Sequence, residues 1–312
     1  MSAPYVAVDW GTSSFRLWLL GPDGSVLAES RGDEGMTVSA ATSGFPAVLA
    51  KHLAAVEAPD RLPVVICGMA GARQGWREAG YVETPAPLAA LFDAAIAFED
   101  GARAVRILPG IAQRQAGRPD VMRGEETQLA GALSTGAGGD GLICLPGTHS
   151  KWASIADGTV TGFSTFMTGE TFALFSRHSI LSHTIDAAAD TDPQGEAFRN
   201  AVIAGFREPQ RLLNALFAIR AGGLLGVSDA KDAGATLSGL LIGQEIAGAL
   251  GDRPNTAVTL VASGRMARLY DSALTACGIT AGIVDADAAV RAGLFAAAQR
   301  FWGPQSKDTI SA

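Results

Sequence analysis

Asp9-Trp10-Gly11-Thr12-Ser13-Ser14-Phe15-Arg16 gathers a carboxylate, a glycine, three hydroxyls and a cation within one short stretch. Asp9 closes an apolar run, where an unpaired carboxylate is costly; a magnesium ion with its waters would offset that cost. Gly11 allows the backbone to approach a ligand, Thr12 and Ser13 offer amide and hydroxyl donors to phosphate oxygens, and Arg16 adds a cation. Pro146-Gly147-Thr148-His149-Ser150-Lys151 repeats the offer in the second half of the chain. Taken singly, each block reads equally as a surface hairpin, with His149 as a hydrogen-bonded turn residue and Lys151 as a solvated strand residue. Two similar hairpins, however, could grip one polyphosphate.

Three further clusters carry chemistry. Ala262-Ser263-Gly264-Arg265 joins an apolar run to a helical pattern, and so small a turn can admit a planar base or ribose; most such turns are only turns. Arg123-Gly124-Glu125-Glu126-Thr127-Gln128 opens a predicted helix. Its acids favour the helix dipole, or one of them accepts a proton from a substrate hydroxyl. Adjacent side chains diverge by about 100° on a helix, so at most one of Glu125 and Glu126 points at a reacting atom. In Gly68-Met69-Ala70-Gly71-Ala72-Arg73-Gln74-Gly75-Trp76, Arg73 suits a carboxylate, Gln74 hydroxyls and Trp76 a sugar face. A plain glycine-rich loop is the alternative there.

The elements that must position these residues read as two similar openings. Residues 5–8, 15–20 and 25–29 are predicted strands separated by the turns at 11–14 and 21–24; residues 141–145, 151–156 and 159–160 follow the same plan around 147–150 and 157–158. Gly-Thr-Ser-Ser matches Gly-Thr-His-Ser, and Asp-Gly-Ser-Val matches Asp-Gly-Thr-Val. Further strands are expected at 62–68, 105–108, 258–261 and 282–284, and helices at 45–56, 125–133, 170–181, 196–206, 211–219 and 237–250. Strands alternating with helices predict an α/β protein. The glycine-rich stretch 134–140 divides it into domains 1–133 and 134–312.

Composition narrows the function. Hydrophobic residues make up 48% and charged residues 18%, enough apolar material for real cores. The net charge of -7 offers nothing to nucleic acid or anionic lipid. Cys67, Cys144 and Cys277 are far apart and the four histidines form no metal motif, which favours a reducing compartment over disulfides or zinc. No apolar run is long enough for a membrane span, and the N-terminal residues lack a signal-peptide pattern, so a cytoplasmic location is expected. A GxxxxGK[ST] loop, a GxGxxG after the first strand and a GxSxG elbow are all missing. A homo-oligomer is compatible with the sequence, which does not set the oligomeric state.

The blocks DWGTSSFR, GMAGARQGW, MRGEETQLAGA, LPGTHSKW and SGLLIGQEIA, in that order from Asp9 to Ala247, together resemble the 2-dehydro-3-deoxygalactonokinase family. That family belongs to the sugar kinase, heat-shock ATPase and actin superfamily. The resemblance implies two ribonuclease-H-like domains around a nucleotide cleft: an N-terminal domain for sugar and the first phosphate motif, and a C-terminal nucleotide domain. The last helix, about 287–302, would pack back on the N-terminal domain. The implied reaction is ATP- and Mg2+-dependent phosphorylation of 2-dehydro-3-deoxy-D-galactonate to its 6-phosphate, in galactonate catabolism.

Carried over, Asp9, Gly11, Thr12 and Ser13 match the first phosphate motif, with Asp9 toward the metal. Gly147, Thr148 and His149 match the second, without the Asp that often precedes it, and Ser263-Gly264 matches an adenosine motif that often has two glycines. The superfamily's catalytic Asp is replaced here by Glu125 or Glu126, and aligning Thr127 with the hexokinase pattern favours Glu126. Arg73, Arg123 and Lys151 are candidates to hold the acid. Two alternatives stay open: a kinase of the same fold for another sugar or sugar acid, and a nucleotide-binding regulator without sugar phosphorylation. Regulators usually add a DNA-binding helix-turn-helix, which the acidic chain is not expected to carry.

Overall fold

The computed structural model describes residues 4–42, 44–185, 190–251 and 256–303. The chain forms two compact units, one of Met1–Asp140, Ile155–Gly162 and Val284–Ala312, the other of Gly141–Ser154 and Phe163–Ile283.

In the first unit, β1 (Tyr5–Trp10), β2 (Phe15–Leu20) and β3 (Val26–Gly32) form an antiparallel meander. Helices α1 (Met36–Ala41) and α2 (Phe45–Ala55) lead to β4 (Val64–Gly68), which runs parallel to β1. Then come β5 (Tyr81–Glu83), β6 (Ala86–Pro87), α3 (Leu88–Asp93), β7 (Ile96–Asp100), β8 (Arg103–Ile107), β9 (Gly110–Gln113), β10 (Asp120–Met122) and α4 (Glu125–Ser134). The main sheet has the order β3-β2-β1-β4-β8-β7, and β5, β9 and β10 make a small separate sheet. β1 is buried on both faces, as a central strand with a near-continuous apolar sequence should be. Val6, Val8 and Trp10 pack into one core with Leu49 of α2, while Tyr5 and Ala7 join another on the opposite face. The alternation of a strand therefore puts Asp9 on the Tyr5 face.

The second unit repeats the plan. It contains β11 (Gly141–Leu145), β12 (Ser150–Ala156), β13 (Thr159–Phe166), α5 (Thr168–His178), α6 (Glu196–Arg207), α7 (Leu212–Leu225), α8 (Ala233–Leu250), β14 (Val258–Val261), α9 (Gly264–Ala276) and β15 (Ala281–Val284). The tip of the β12–β13 hairpin counts with the first unit, where Thr159 and Val160 pair with Pro87 and Ala86. The strand order is β15-β14-β11-β12-β13, with β11 and β14 parallel. Both sheets thus share the order third, second, first, fourth strand, which β8, parallel to β4, continues in the first sheet and β15 in the second. This is the ribonuclease-H-like arrangement, present in each unit. Helix α8 is buried on most of its surface, as an apolar helix inside a core should be.

The final helix, α10 (Ala286–Trp302), belongs to the first unit and packs against α4 there. Gly131 permits the approach: a Cβ on it would lie 1.8 Å from the Ala289 carbonyl oxygen. The boundary between units falls after Asp140, not after residue 133. The intervening glycine-rich stretch is not a linker. The amides of Thr135, Gly136 and Gly138 donate back to carbonyls of the last turn of α4, so these residues terminate that helix. Among the described residues, no helix is long and apolar enough to cross a membrane.

Candidate active site

The first phosphate-like turn lies between β1 and β2. Asp9 and Arg16 face each other across the two strands, and the Arg16 guanidinium donates to Asp9 Oδ2. A second Arg16 nitrogen donates to Asp287 at the start of α10, and Asp287 also accepts from Arg31 Nη2 at 2.9 Å. On its other side, Asp9 Oδ1 accepts from the Cys67 thiol at 3.7 Å. The turn itself is anchored by α1: the Met36 amide donates to the Gly11 carbonyl (2.9 Å) and the Thr37 amide to the Thr12 carbonyl (3.2 Å). The carbonyls are thereby occupied, while the exposed Thr12 and Ser13 keep amides that no group bonds among the described residues. Such outward amides suit an anion.

The N-terminus of α4 supplies the acid. Glu126 is 1% exposed. Its Oε2 accepts from the Gly124 amide (2.7 Å) and its Oε1 from the Thr127 hydroxyl (3.1 Å). Burial, followed by the neighbouring Glu125 charge, pushes the Glu126 carboxyl up to about 7, against the lowering effect of the backbone donors and Arg123. Gly124 occupies a positive φ of 110°, which lets the chain turn into the helix so sharply. Glu125, half-buried, accepts from the Arg123 amide at 3.0 Å. Cys67 stands beside both carboxylates: burial first, then Asp9 and Glu126, hold its thiol well above the ordinary range, and the Thr127 side chain hydrogen-bonds it. Asp9, Arg16, Cys67, Thr127 and Glu126 are therefore one connected group.

The second turn follows the first in detail. It lies between β11 and β12, and α5 abuts it: the Glu170 amide donates to the Thr148 carbonyl at 3.1 Å. A Cβ on Gly169 would lie 2.7 Å from the Gly147 carbonyl oxygen. Thr148 and His149 are exposed, and the His149 ring pairs with the Glu170 carboxylate. Next to this turn is an open pocket of about 530 Å3, mouth included, bordered by Gly147, Thr168, Phe172, Leu241, Arg265 and Met266 among others. Gly264, in a left-handed conformation with φ 57°, starts α9 at its rim beside Arg265, with Ser263 preceding it. A pocket with apolar walls and a few polar groups is what a base and ribose require.

The remaining predicted residues separate by environment. Arg73 and Gln74 are exposed and without partners among the described residues. Trp76 is half-buried: its ring packs edge-on to Trp10 (6.2 Å) and Phe98 (5.1 Å) and stacks on Phe45 (6.3 Å), against the core under β1. Arg123 donates from Nη2 to the Ala79 carbonyl (2.7 Å) and lies over the Tyr81 ring, while its buried Nε and Nη1 find no acceptor among the described residues. Lys151 is buried, not solvated, and donates to the His149 carbonyl at 2.9 Å. Arg16 lies between two carboxylates rather than open toward a phosphate.

Residues 9–297 match the family model described as 2-keto-3-deoxy-galactonokinase. The chain belongs to this family. It is 58% identical over 300 residues to a probable 2-dehydro-3-deoxygalactonokinase of Rhizobium meliloti (strain 1021), covering 96% of this chain and 97% of the relative. It is 32% identical to the 2-dehydro-3-deoxygalactonokinase of Escherichia coli (strain K12), covering 94% of this chain and 97% of that one. A crystal structure from Sinorhizobium meliloti that carries a provisional 2-dehydro-3-deoxygalactonokinase name superposes with a TM-score of 0.91 at 56% identity, over 96% of this chain and 99% of the other.

Several residues at the candidate sites are not announced by the sequence of this chain. Asp287 pairs with Arg16 across 271 positions of sequence, and no local pattern announces it. Phe172, Met266 and Arg265 line the pocket, and only Arg265 sat in a block already singled out. Glu245 lay inside the SGLLIGQEIA segment, where a lone acid in an apolar helix was itself a signal of a buried polar role.

Proposed function

We propose that the protein transfers the γ-phosphoryl group of ATP to the terminal hydroxyl of 2-dehydro-3-deoxy-D-galactonate, giving the 6-phosphate, which an aldolase of galactonate breakdown would consume. The observation that carries the mechanism is the state of Glu126: a buried carboxyl at a helix start, raised to about 7, is matched to accepting a hydroxyl proton near neutrality. Family membership supplies the substrate.

In this reading the amides at Thr12 and Ser13, and at Thr148 and His149, donate to phosphate oxygens of the nucleotide. The pocket beside Ser263 and Gly264 receives adenosine. Glu126 takes the proton as the hydroxyl attacks in line, and Glu125 tunes it through its charge. Arg73, exposed and without a partner among the described residues, is the first group to hold the acid's carboxylate, and Arg123, whose two unbonded donors are buried, is the second. Lys151 is already bonded to a carbonyl and is a weaker choice.

Asp9 fits a magnesium ligand. It is a carboxylate at the end of a central strand, 9% exposed, beside the turn whose amides suit phosphate. Among the described residues no group of three or more His, Cys, Asp or Glu could hold a metal unaided. Magnesium held by one carboxylate, waters and nucleotide oxygens needs no such cluster. When bound, the ion would spread the negative charge of the triphosphate. Three unpaired cysteines agree with a cytoplasmic setting.

The test is ADP release at fixed ATP across a panel of 2-keto-3-deoxy sugar acids and neutral sugars. The highest kcat/KM is expected with 2-dehydro-3-deoxy-D-galactonate. Preference for a sugar without the carboxylate contradicts the acid-sugar reading, and ADP release with none of them revives the regulator.

A further inference from the structure

Glu245, on α8, is fully buried, although a carboxylate there must give up its hydration. Its oxygens are bonded from several directions. Trp152 Nε1 donates to Oε1 at 2.8 Å and the Tyr270 hydroxyl donates to Oε2 at 2.8 Å. The hydroxyls of Thr168 and Ser150 also hydrogen-bond it. These four donors come from β12, α5 and α9, the elements that surround the second phosphate turn.

Three of the four donors, Ser150, Thr168 and Tyr270, have a second role at that turn. Ser150 closes it, with Oγ 3.4 Å from the Gly147 amide and 3.0 Å from the Tyr270 hydroxyl. Thr168 immediately precedes Gly169, the residue that abuts Gly147. Tyr270 and Thr168 both border the nucleotide pocket together with Gly147. Apolar side chains in place of the whole group would fill this core without burying a carboxylate, whereas an apolar side chain at 245 alone leaves these donors unbonded. What an apolar side chain could not do is fix three hydroxyls and an indole in one geometry.

We infer that Glu245 is a positioning residue for nucleotide binding, acting through Ser150, Thr168 and Tyr270 to hold the turn 147–150 and the adjoining pocket in register. The inference rests on the kinase reading, because it takes that turn as a phosphate site.

The experiment compares the wild-type chain with Glu245→Met, Glu245→Gln and Tyr270→Phe. Binding of a non-hydrolysable ATP analogue with Mg2+ is measured by calorimetry, and KM is measured separately for ATP and for the sugar acid. Glu245→Met is expected to weaken analogue binding and raise KM for ATP about tenfold, leaving KM for the acid unchanged. Glu245→Gln should recover most of the loss, since its amide oxygen still accepts and the Tyr270 hydroxyl can reverse its role. Tyr270→Phe, nearly isosteric, should fall between them and carries the test if Glu245→Met does not fold. Folded variants with wild-type analogue affinity and KM for ATP overturn the inference, whatever their melting temperatures. A wild-type chain that binds no nucleotide overturns the kinase reading, and the inference with it.

Discussion

Gly35 stands so close to Thr12 that a Cβ on it would lie 2.4 Å from the Thr12 carbonyl oxygen. The first helix after the hairpin thus presses directly on the phosphate-like turn, and Gly169 does the same to Gly147 in the second unit. The contacts are to backbone, which cannot rotate away. Gly35→Ala and Gly169→Ala should each displace a turn and cost about 1–3 kcal/mol. KM for ATP is expected to rise about tenfold or more in each, with KM for the acid less affected. Steady-state kinetics with a urea midpoint for each variant checks this; an unchanged KM for ATP would show that the turns do not meet nucleotide.

Glu126 predicts the pH dependence. The base must be ionised, so kcat/KM should rise with pH through a limb near 7 and level above it. Removing the like charge with Glu125→Gln should move that limb to lower pH. Stability has the opposite sign. The folded carboxyl titrates above its ordinary value of 4.5, so folding takes up a proton between about pH 4.5 and 7, and stability falls as pH rises across that window. The penalty above pH 7 is of the order of 3 kcal/mol, which Glu126→Gln removes. That variant should therefore melt at a higher temperature than wild type at pH 8 and not at pH 4, as calorimetry can show.

Asp9→Asn tests the metal assignment. A neutral amide is a poorer magnesium ligand, so the Mg2+ concentration needed for half-maximal activity should rise and kcat fall about a hundredfold or more. Arg16 retains Asp287 as a partner, so the stability loss should stay at about 1–2 kcal/mol. A metal titration at fixed ATP decides; an unaltered Mg2+ requirement would remove Asp9 from the metal site.

The two arginine candidates should behave differently. Arg73→Ala removes an exposed cation that has no partner among the described residues, and is expected to raise KM for the sugar acid about tenfold without moving the melting temperature. Arg123→Ala also releases the Ala79 carbonyl and the face of Tyr81, so it should lower the melting temperature as well. Equal effects of both on stability alone would leave the carboxylate without its proposed holders.

Much of this arrangement is legible in the sequence because tight turns between strands need glycine and hydroxyls at fixed places. Gly-Thr-Ser-Ser and Gly-Thr-His-Ser accordingly mark the turn between the first two strands of two sheets that share the order of their first four strands. Apolar runs such as residues 5–8 and 141–145 announce central strands because such strands are buried on both faces. Long-range partners are another matter. Arg16 looks like a ready phosphate ligand until α10 brings Asp287 to it. Trp76 looks like an exposed sugar platform in a glycine-rich loop, but Trp10, Phe45 and Phe98 converge on it from three other elements. The short strands β5, β9 and β10, three or four residues each, carry too little periodicity to read.

The most direct test of the account is Glu126→Gln, assayed for both nucleotide binding and phosphoryl transfer to 2-dehydro-3-deoxy-D-galactonate. The predicted result is analogue affinity within about twofold of wild type and ADP release reduced by about 10²–10⁴. Near-normal turnover in a folded Glu126→Gln protein would contradict it.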